Sequence, residues 1–373
     1  MPDVDGITER VLSGEGVSRS TDNNYYLGED RSLPGLEAHV PAVLHFLGRL
    51  KSEIDQYYQD EPDRSTNYEN LYYVASQIQD SELREYDNPA VQSLIDKICP
   101  DIEPLLAAQQ WRLLDLAGES ANYILDVVRH LLTREPPRIG HLASLRDACI
   151  DDRPSSVDVF TVNHDTVLEQ CFSQNDVPFT DGFDGPINQL RYWNPGLFES
   201  QPPRVRLFKL HGSVNWYEFS CGGCPGVRVG ISLQPDVWRT SCPTGHMQFP
   251  IRGRPMLLAG TFNKMLQYTS GIYAGLHYQF YRSLRETPQL VVCGYGFGDK
   301  GINTRIVEWA HSSPDQRMVV VDPTPDALKR RARGAISGNW DDWVAQKKMA
   351  VIPKAIQDTS WQEMRTSLID TEG

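Results

Sequence analysis

No apolar run in this 373-residue chain approaches the ~20 residues that a membrane-spanning helix needs. The N-terminus also lacks a basic stretch followed by an apolar core: Met1-Pro2-Asp3-Val4-Asp5 is acidic, so the expectation is a cytoplasmic protein without a secretory leader. Basic residues are scarce at the front. The first 100 residues hold 19 Asp/Glu against 8 Lys/Arg, and they carry most of the net charge of −13. Phosphate backbones are bound by clustered Lys/Arg, so this balance argues against broad nucleic-acid binding and leaves room only for a local basic groove. The acidic front reads as a solvated helical surface. No internal repeat or low-complexity tract is present, and no carboxylate cluster shows the spacing of a nuclease metal site. The seven cysteines are odd in number, and without a leader they do not read as a disulfide framework.

The composition that is there, 40% hydrophobic and 23% charged, is that of a globular chain long enough for one large domain or two modest ones. The first 150 residues read as mainly helical. Val40, Val43, Leu44, Leu47, Leu50, Ile54 and Tyr57 recur at three- and four-residue steps. Thr66 and Glu69 form a capping-box pattern ahead of Leu71 and Ile78. Pro100 and Pro104 interrupt the next segment, a longer helix is expected over 118–132, and Pro136-Pro137 breaks it.

After Ile150 the pattern changes to short β-rich runs at 157–162, 205–210, 290–294, 318–322 and 349–352. Helical stretches such as 271–284 and 302–311 separate several of them. Apolar strands alternating with helices indicate an α/β fold, a Rossmann-like parallel sheet over 151–373. Ligands of such sheets lie beyond the carboxyl ends of the strands. Three strand ends carry polar clusters: Thr161-Val162-Asn163-His164-Asp165, His211-Gly212-Ser213-Val214-Asn215-Trp216, and Gly294-Tyr295-Gly296-Phe297-Gly298-Asp299. Singly, each is also what an ordinary turn or helix cap looks like. Their succession, each at a strand end, points to a nucleotide site.

A second pattern lies between residues 217 and 250. Cys221-Gly222-Gly223-Cys224 and Cys242-Pro243-Thr244-Gly245-His246 are two short-spaced ligand sets, and two residues between thiolates let both sulfurs face one tetrahedral ion. The alternative is a pair of reduced turns. If a metal binds, Cys221, Cys224, Cys242 and His246 leave no open position, so zinc would be structural.

These residues, with Lys209-Leu210-His211-Gly212-Ser213-Val214-Asn215-Trp216 and Gly260-Thr261-Phe262-Asn263-Lys264, resemble the sirtuin-like superfamily, and in it the bacterial branch associated with antiviral defence. The resemblance covers roughly 155–325 well and the first 150 residues poorly. It implies NAD⁺ as substrate, with Asn163 and Asp165 matching the Asn-x-Asp of sirtuins and His211-Gly212 matching their catalytic His-Gly. His211 would take a proton from a ribose hydroxyl or orient water. Asn163 would fix ribose or water, and Asp165 would bond the nicotinamide amide or stabilise its own turn. Cysteine modules follow the His-Gly strand in sirtuins too, usually with four cysteines; His246 departs from that.

The resemblance also places the nucleotide loop at Gly14-Glu15-Gly16-Val17-Ser18, with Gly14, Gly16 and Ser18 approaching the pyrophosphate at a helix N-terminus. Glu15 stands where alanine is usual, and the Asp-Phe-Arg element of deacylases is replaced by Asn23, Asn24, Tyr25 and Tyr26. Gly294, Tyr295 and Asp299 are expected to line the site. Asp322 either bonds an adenosine ribose or ends its strand in a turn with Pro323. The leading expectation is a hydrolase degrading NAD⁺ to ADP-ribose and nicotinamide in antiphage defence, working as a homo-oligomer or with a HerA-type ATPase. The alternatives are an NAD⁺-dependent protein deacylase and a non-catalytic NAD⁺ or ADP-ribose sensor.

Overall fold

The computed structural model describes residues 2–28, 35–61, 64–83, 89–134, 139–200, 202–234, 236–260 and 263–369. The Pro136-Pro137 break, and Thr261 and Phe262 of the Gly260–Lys264 string, lie outside them. The chain divides into two compact units. The first holds Met1–Glu135, Ser213–Glu218 and Pro250–Leu266, and the second holds Pro136–Gly212, Phe219–Phe249 and Gln267–Gly373.

The first unit opens with helix α1 (Val4–Ser13), capped by the Asp3 side chain on Gly6 N–H. A short antiparallel hairpin follows, β1 (Val17–Arg19) on β2 (Tyr25–Leu27). Four longer helices follow: α2 (His39–Tyr57), α3 (Tyr68–Leu83), α4 (Gln92–Gln109) and α5 (Leu113–Leu132). The heptad-like stripe of α2 buries Val43, Phe46, Leu47 and Leu50 against Leu71, Ile78, Leu116 and Ile124. Val214 and Leu257, from the two later segments, join this core. So does an ion pair: Arg254 reaches Asp126, which is fully buried on α5, at 2.8 Å. Burial raises the pKa of Asp126, and it outweighs the opposing pull of Arg254.

Three local expectations change here. Asn67, not Thr66, caps α3, its Oδ1 accepting from the N–H groups of Glu69 and Asn70; Thr66 instead donates to Asp55. Pro100 and Pro104 sit inside a continuous α4 and do not interrupt it. Each removes one helical hydrogen bond, but Ile95, Ile98 and Ile102 bury the same face and hold the helix together. Helix α5 begins at Leu113, five residues ahead of the expected start, where Arg112 and Asp115 exchange capping bonds.

The second unit is mixed α/β. From residue 143 the chain runs α6 (Ala143–Ile150), β3 (Val157–Thr161), α7 (Val167–Gln174), β4 (Phe179–Thr180), β5 (Leu190–Tyr192), β6 (Val205–Lys209), β7 (Trp216–Cys221), β8 (Cys224–Ser232), β9 (Thr240–Ser241) and β10 (Met247–Pro250). Then come α8 (Asn263–Gln267), which falls almost wholly in the first unit, α9 (Gly271–Glu286), β11 (Gln289–Cys293), α10 (Lys300–Ser312), β12 (Arg317–Val321), α11 (Pro325–Arg331), α12 (Ala335–Ala345), β13 (Met349–Ile352) and α13 (Trp361–Ile369). The five apolar runs read from sequence are β3, β6, β11, β12 and β13. They form parallel ladders, β3-β6-β4 and β11-β12-β13, assigned as two three-stranded sheets. Their inward residues, Val159 and Leu207 in one and Val319, Val321 and Ile352 in the other, pack under flanking helices. A five-stranded sheet, β5-β8-β7-β10-β9, carries the cysteine pairs. Among the described residues no helix is long and apolar enough to cross a membrane.

Candidate functional site

The parallel pairing of β3 with β6 sets Thr161 beside Lys209. Leu210 N–H then donates to the Thr161 carbonyl at 2.9 Å, so the two strands run out together. Two residues past the paired positions stand Asn163 on one strand end and His211 on the other. The turn after β3 alternates: Asn163 is exposed, His164 is buried, and Asp165 is half-buried. Asp165 Oδ1 accepts from Val167 N–H at 3.0 Å and so leads the chain into α7. That commitment favours the turn-stabilising role over contact with a ligand amide. Lys209 is only 1% exposed, and its ammonium binds both the Asp165 carbonyl and, at 2.9 Å, Glu169 Oε1 on α7. A buried ammonium requires such partners, and here they tie the Asn163 turn to the strand that carries His211.

His211 is 4% exposed. Its Nε2 lies 2.9 Å from the Tyr268 hydroxyl and 3.1 Å from Asp299 Oδ2. Tyr268 also donates to Asp299 Oδ2, which closes a three-membered polar cluster. The other Asp299 oxygen accepts from the N–H groups of Gly301 (2.9 Å) and Ile302 (3.1 Å), making Asp299 the N-cap of α10. Burial would raise the Asp299 pKa, but the hydrogen bond and charge of His211, the Tyr268 hydroxyl and the helix amide together hold it well below the usual carboxylate range. Gly301 is required here, because a Cβ would lie 2.8 Å from the Tyr268 ring. On the far side Tyr268 stacks on His277 of α9, ring centroids 3.6 Å apart. Burial, then the charge of His211, lowers the His277 pKa to about 4, so it is a neutral imidazole at pH 7. The His164 ring lies 6.3 Å from that of His211.

Sequence reasoning named Asn163, Asp165, His211 and Asp299, and the structure gathers them at adjoining strand ends of one unit. It missed Tyr268 and His277. Neither follows a strand, and the polar partners of Tyr268 lie 57 and 31 residues away from it, so nothing local marks the pair. Gly294, in the left-handed region at φ +63°, turns the chain out of β11. The Tyr295 hydroxyl is occupied by Asn303 Oδ1 (3.0 Å) and so holds the loop onto α10. Asp322 Oδ1 accepts from Thr324 N–H at 2.7 Å, the strand-ending turn of the two roles considered for it.

The glycine loop differs from expectation. Gly14 is the left-handed C-cap of α1, and residues 17–19 continue as a strand, so no helix N-terminus opens at Gly14, Gly16 or Ser18. The C-terminal end of a helix carries partial negative charge and repels a pyrophosphate. A Cβ at Gly14 would meet Leu44 at 2.4 Å, which gives that glycine a packing reason. Glu15 is turned outward and pairs with Arg10 at 2.7 Å.

The cysteine hairpins meet. The sulfurs of Cys221, Cys224 and Cys242 all lie within 4.8 Å of one another, and Cys224 Sγ is 3.5 Å from Cys242 Sγ. A tetrahedral ion with Zn–S of ~2.3 Å sets its sulfurs ~3.8 Å apart, so the three thiols fit one. His246 Nδ1 is 3.8 Å from Cys242 Sγ and 2.9 Å from Thr244 Oγ1, near the three sulfurs but outside their common cluster. Gly223 leaves the space the His246 ring fills, since a Cβ there would be 2.4 Å from it. The Thr244 hydroxyl is the leading influence that draws the Cys242 thiol down to about 5, toward the thiolate a metal takes.

A family model described as a SIR2-like domain matches residues 157–345, from the first residue of β3 to the last of α12. No curated protein matches the chain. The match spans the Asn163 turn, His211, the cysteine hairpins, Tyr268 and Asp299, and it indicates an NAD⁺-related function. The chain belongs to the SIR2-like domain family.

Proposed function

We propose that the protein is an NAD⁺ hydrolase, cleaving the nicotinamide–ribose bond to give nicotinamide and ADP-ribose. The observation that carries this reading is His211, held by an ionised Asp299 and by Tyr268 beside the exposed Asn163 turn. Bond breaking builds positive charge on the ribose ring, and water must then add to the opposite face. Asn163 has an amide with donor and acceptor atoms and no hydrogen bond from its side chain among the described residues. It would fix a ribose hydroxyl or the attacking water. His211 would take the proton that the hydroxyl or water gives up. The carboxylate of Asp299 orients the ring and offsets the charge the ring gains. Asp165 and Lys209 hold the Asn163 turn in place.

Hydrolysis is favoured over protein deacylation by the N-terminal segment. Where deacylases carry an Asp-Phe-Arg element, Asn23, Asn24, Tyr25 and Tyr26 form the turn and second strand of a hairpin. The sensor reading leaned on Glu15 repelling phosphates, and a Glu15 that faces solvent and pairs with Arg10 removes that ground. Purified protein mixed with NAD⁺ alone should release nicotinamide. Cleavage that begins only when an acylated peptide is added would replace this reading with deacylation.

The biological setting proposed is bacterial antiphage defence. An unrestrained hydrolase would drain the cell's cofactor, which supports control through a homo-oligomer or a HerA-type ATPase partner, with the acidic helical unit as the assembling surface. Sizing the protein alone and with such an ATPase tests it. The cysteine cluster is proposed as a structural Zn²⁺ site, Cys221, Cys224 and Cys242 with His246 as fourth ligand. Four protein ligands leave the metal no place in the reaction.

A further inference from the structure

We propose that the helical unit contains a second ligand site, between α2, α3 and α5, for an uncharged planar nitrogen heterocycle bearing an amide or amine, of the nucleobase or nucleoside class. The site is an open groove of about 480 Å³, within the ~300–1,000 Å³ of small-molecule pockets. All of its walls belong to the first unit, so it is separate from His211 and its neighbours, and the proposal does not rest on NAD⁺ cleavage.

The wall sorts into committed and uncommitted groups. Arg19 forms a two-pronged pair with Glu119, 2.8 Å at each contact, and Glu119 Oε2 also accepts from Tyr25 at 2.6 Å. Asp115 is bonded by Arg112 through both oxygens. The charges of the wall are therefore spent on one another. What remains is neutral. The amides of Gln79 on α3 and Asn122 on α5 make no hydrogen bond among the described residues. The His39 ring lines the same wall. It meets the Trp111 indole edge-on, centroids 4.8 Å apart. Burial, then the charge of Arg19, lowers the His39 pKa, which favours an uncharged imidazole. Gly118 leaves the Gln79 amide its place, because a Cβ there would lie 2.8 Å from Nε2.

Two amides with spare donors and acceptors match the polar edge of a heterocycle, and the indole with the imidazole beside it supplies a ring wall for its face. A phosphate finds no such partner: the nearby cation is already paired, and the two carboxylates would repel it.

Calorimetric titration of the full chain with adenosine, nicotinamide and AMP tests the site. Adenosine or nicotinamide should bind with Kd below ~1 mM, and AMP should bind at least ~10-fold more weakly than adenosine. Trp111→Ala and Gln79→Leu should each weaken that binding ~10-fold or more, a loss of ~1.4 kcal/mol, while His211→Ala should leave it unchanged. Gln79→Leu keeps the test usable if Trp111→Ala fails to fold. No binding of either probe at ~5 mM would overturn the proposal. So would binding that survives Gln79→Leu, or that is lost in His211→Ala.

Discussion

Asp299 divides its carboxylate between two tasks: Oδ2 faces His211 Nε2 at 3.1 Å, and Oδ1 caps helix α10 through Gly301 and Ile302. One side chain thus fixes the orientation of the imidazole relative to a rigid element, and the position of the ring is set by a helix 88 residues further along the chain.

Removing the proton-handling group or its neighbour should damage the chemistry more than binding. His211→Ala and Asn163→Ala are each expected to lower NAD⁺ turnover by ~10²-fold or more. Calorimetric affinity for NAD⁺ should change by only a few-fold, because both groups act mainly in the transition state. The double variant should be little worse than either single one. Folded, NAD⁺-binding variants that retain near wild-type nicotinamide release would refute the assignment.

Tyr268→Phe keeps the ring on His277 and deletes the hydroxyl that bonds both His211 and Asp299. A positioning role predicts a kcat lowered ~10-fold with KM nearly unchanged, and a displaced acid limb in the pH–rate profile. An unaltered pH profile would reduce Tyr268 to packing.

The depressed pKa of His277 has a thermodynamic sign. The unfolded chain binds a proton near its ordinary value of 6.5, whereas the folded protein resists protonation down to about 4. Between those values the unfolded state holds more protons, so stability falls as pH drops through that window, by on the order of 3 kcal/mol. His277→Gln should flatten this part of the dependence. Urea titrations at pH 7, 5.5 and 4 on both proteins check it; parallel curves would contradict it.

Elemental analysis of protein prepared without chelator should find about one zinc per chain. Cys224→Ser should lose the metal and lower the thermal midpoint, and a strong chelator should do the same to the wild type. Full stability with no bound metal would leave the cysteines as two reduced turns.

The parallel strands were legible because β3, β6, β11, β12 and β13 are short apolar runs between polar turns, and burial writes itself directly into such runs. His211 and Asp299 were legible for a related reason: each lies in the polar segment that leaves the end of its strand. The cluster as a whole was not, since Tyr268 precedes a helix and reaches its partners only through tertiary contact. Glycines misled at residues 14–18, because a left-handed glycine ends a helix as readily as it lines a phosphate loop. Prolines misled in α4, where the apolar face of Ile95, Ile98 and Ile102 decides the outcome and local propensity does not.

Asp126 and Arg254, paired in the first unit, are 128 residues apart in sequence. On the ribosome, α1 to α5 emerge well before Arg254 has been synthesised, and before Val214 and Leu257 can enter their core. Until then the Asp126 carboxylate lacks the guanidinium that bonds both its oxygens, and a buried carboxylate without its pair is costly. The third of the protein made first is therefore completed late, after His211 has been translated. A chain cut after residue 134 would carry α1 to α5 and still lack the pieces that finish their core.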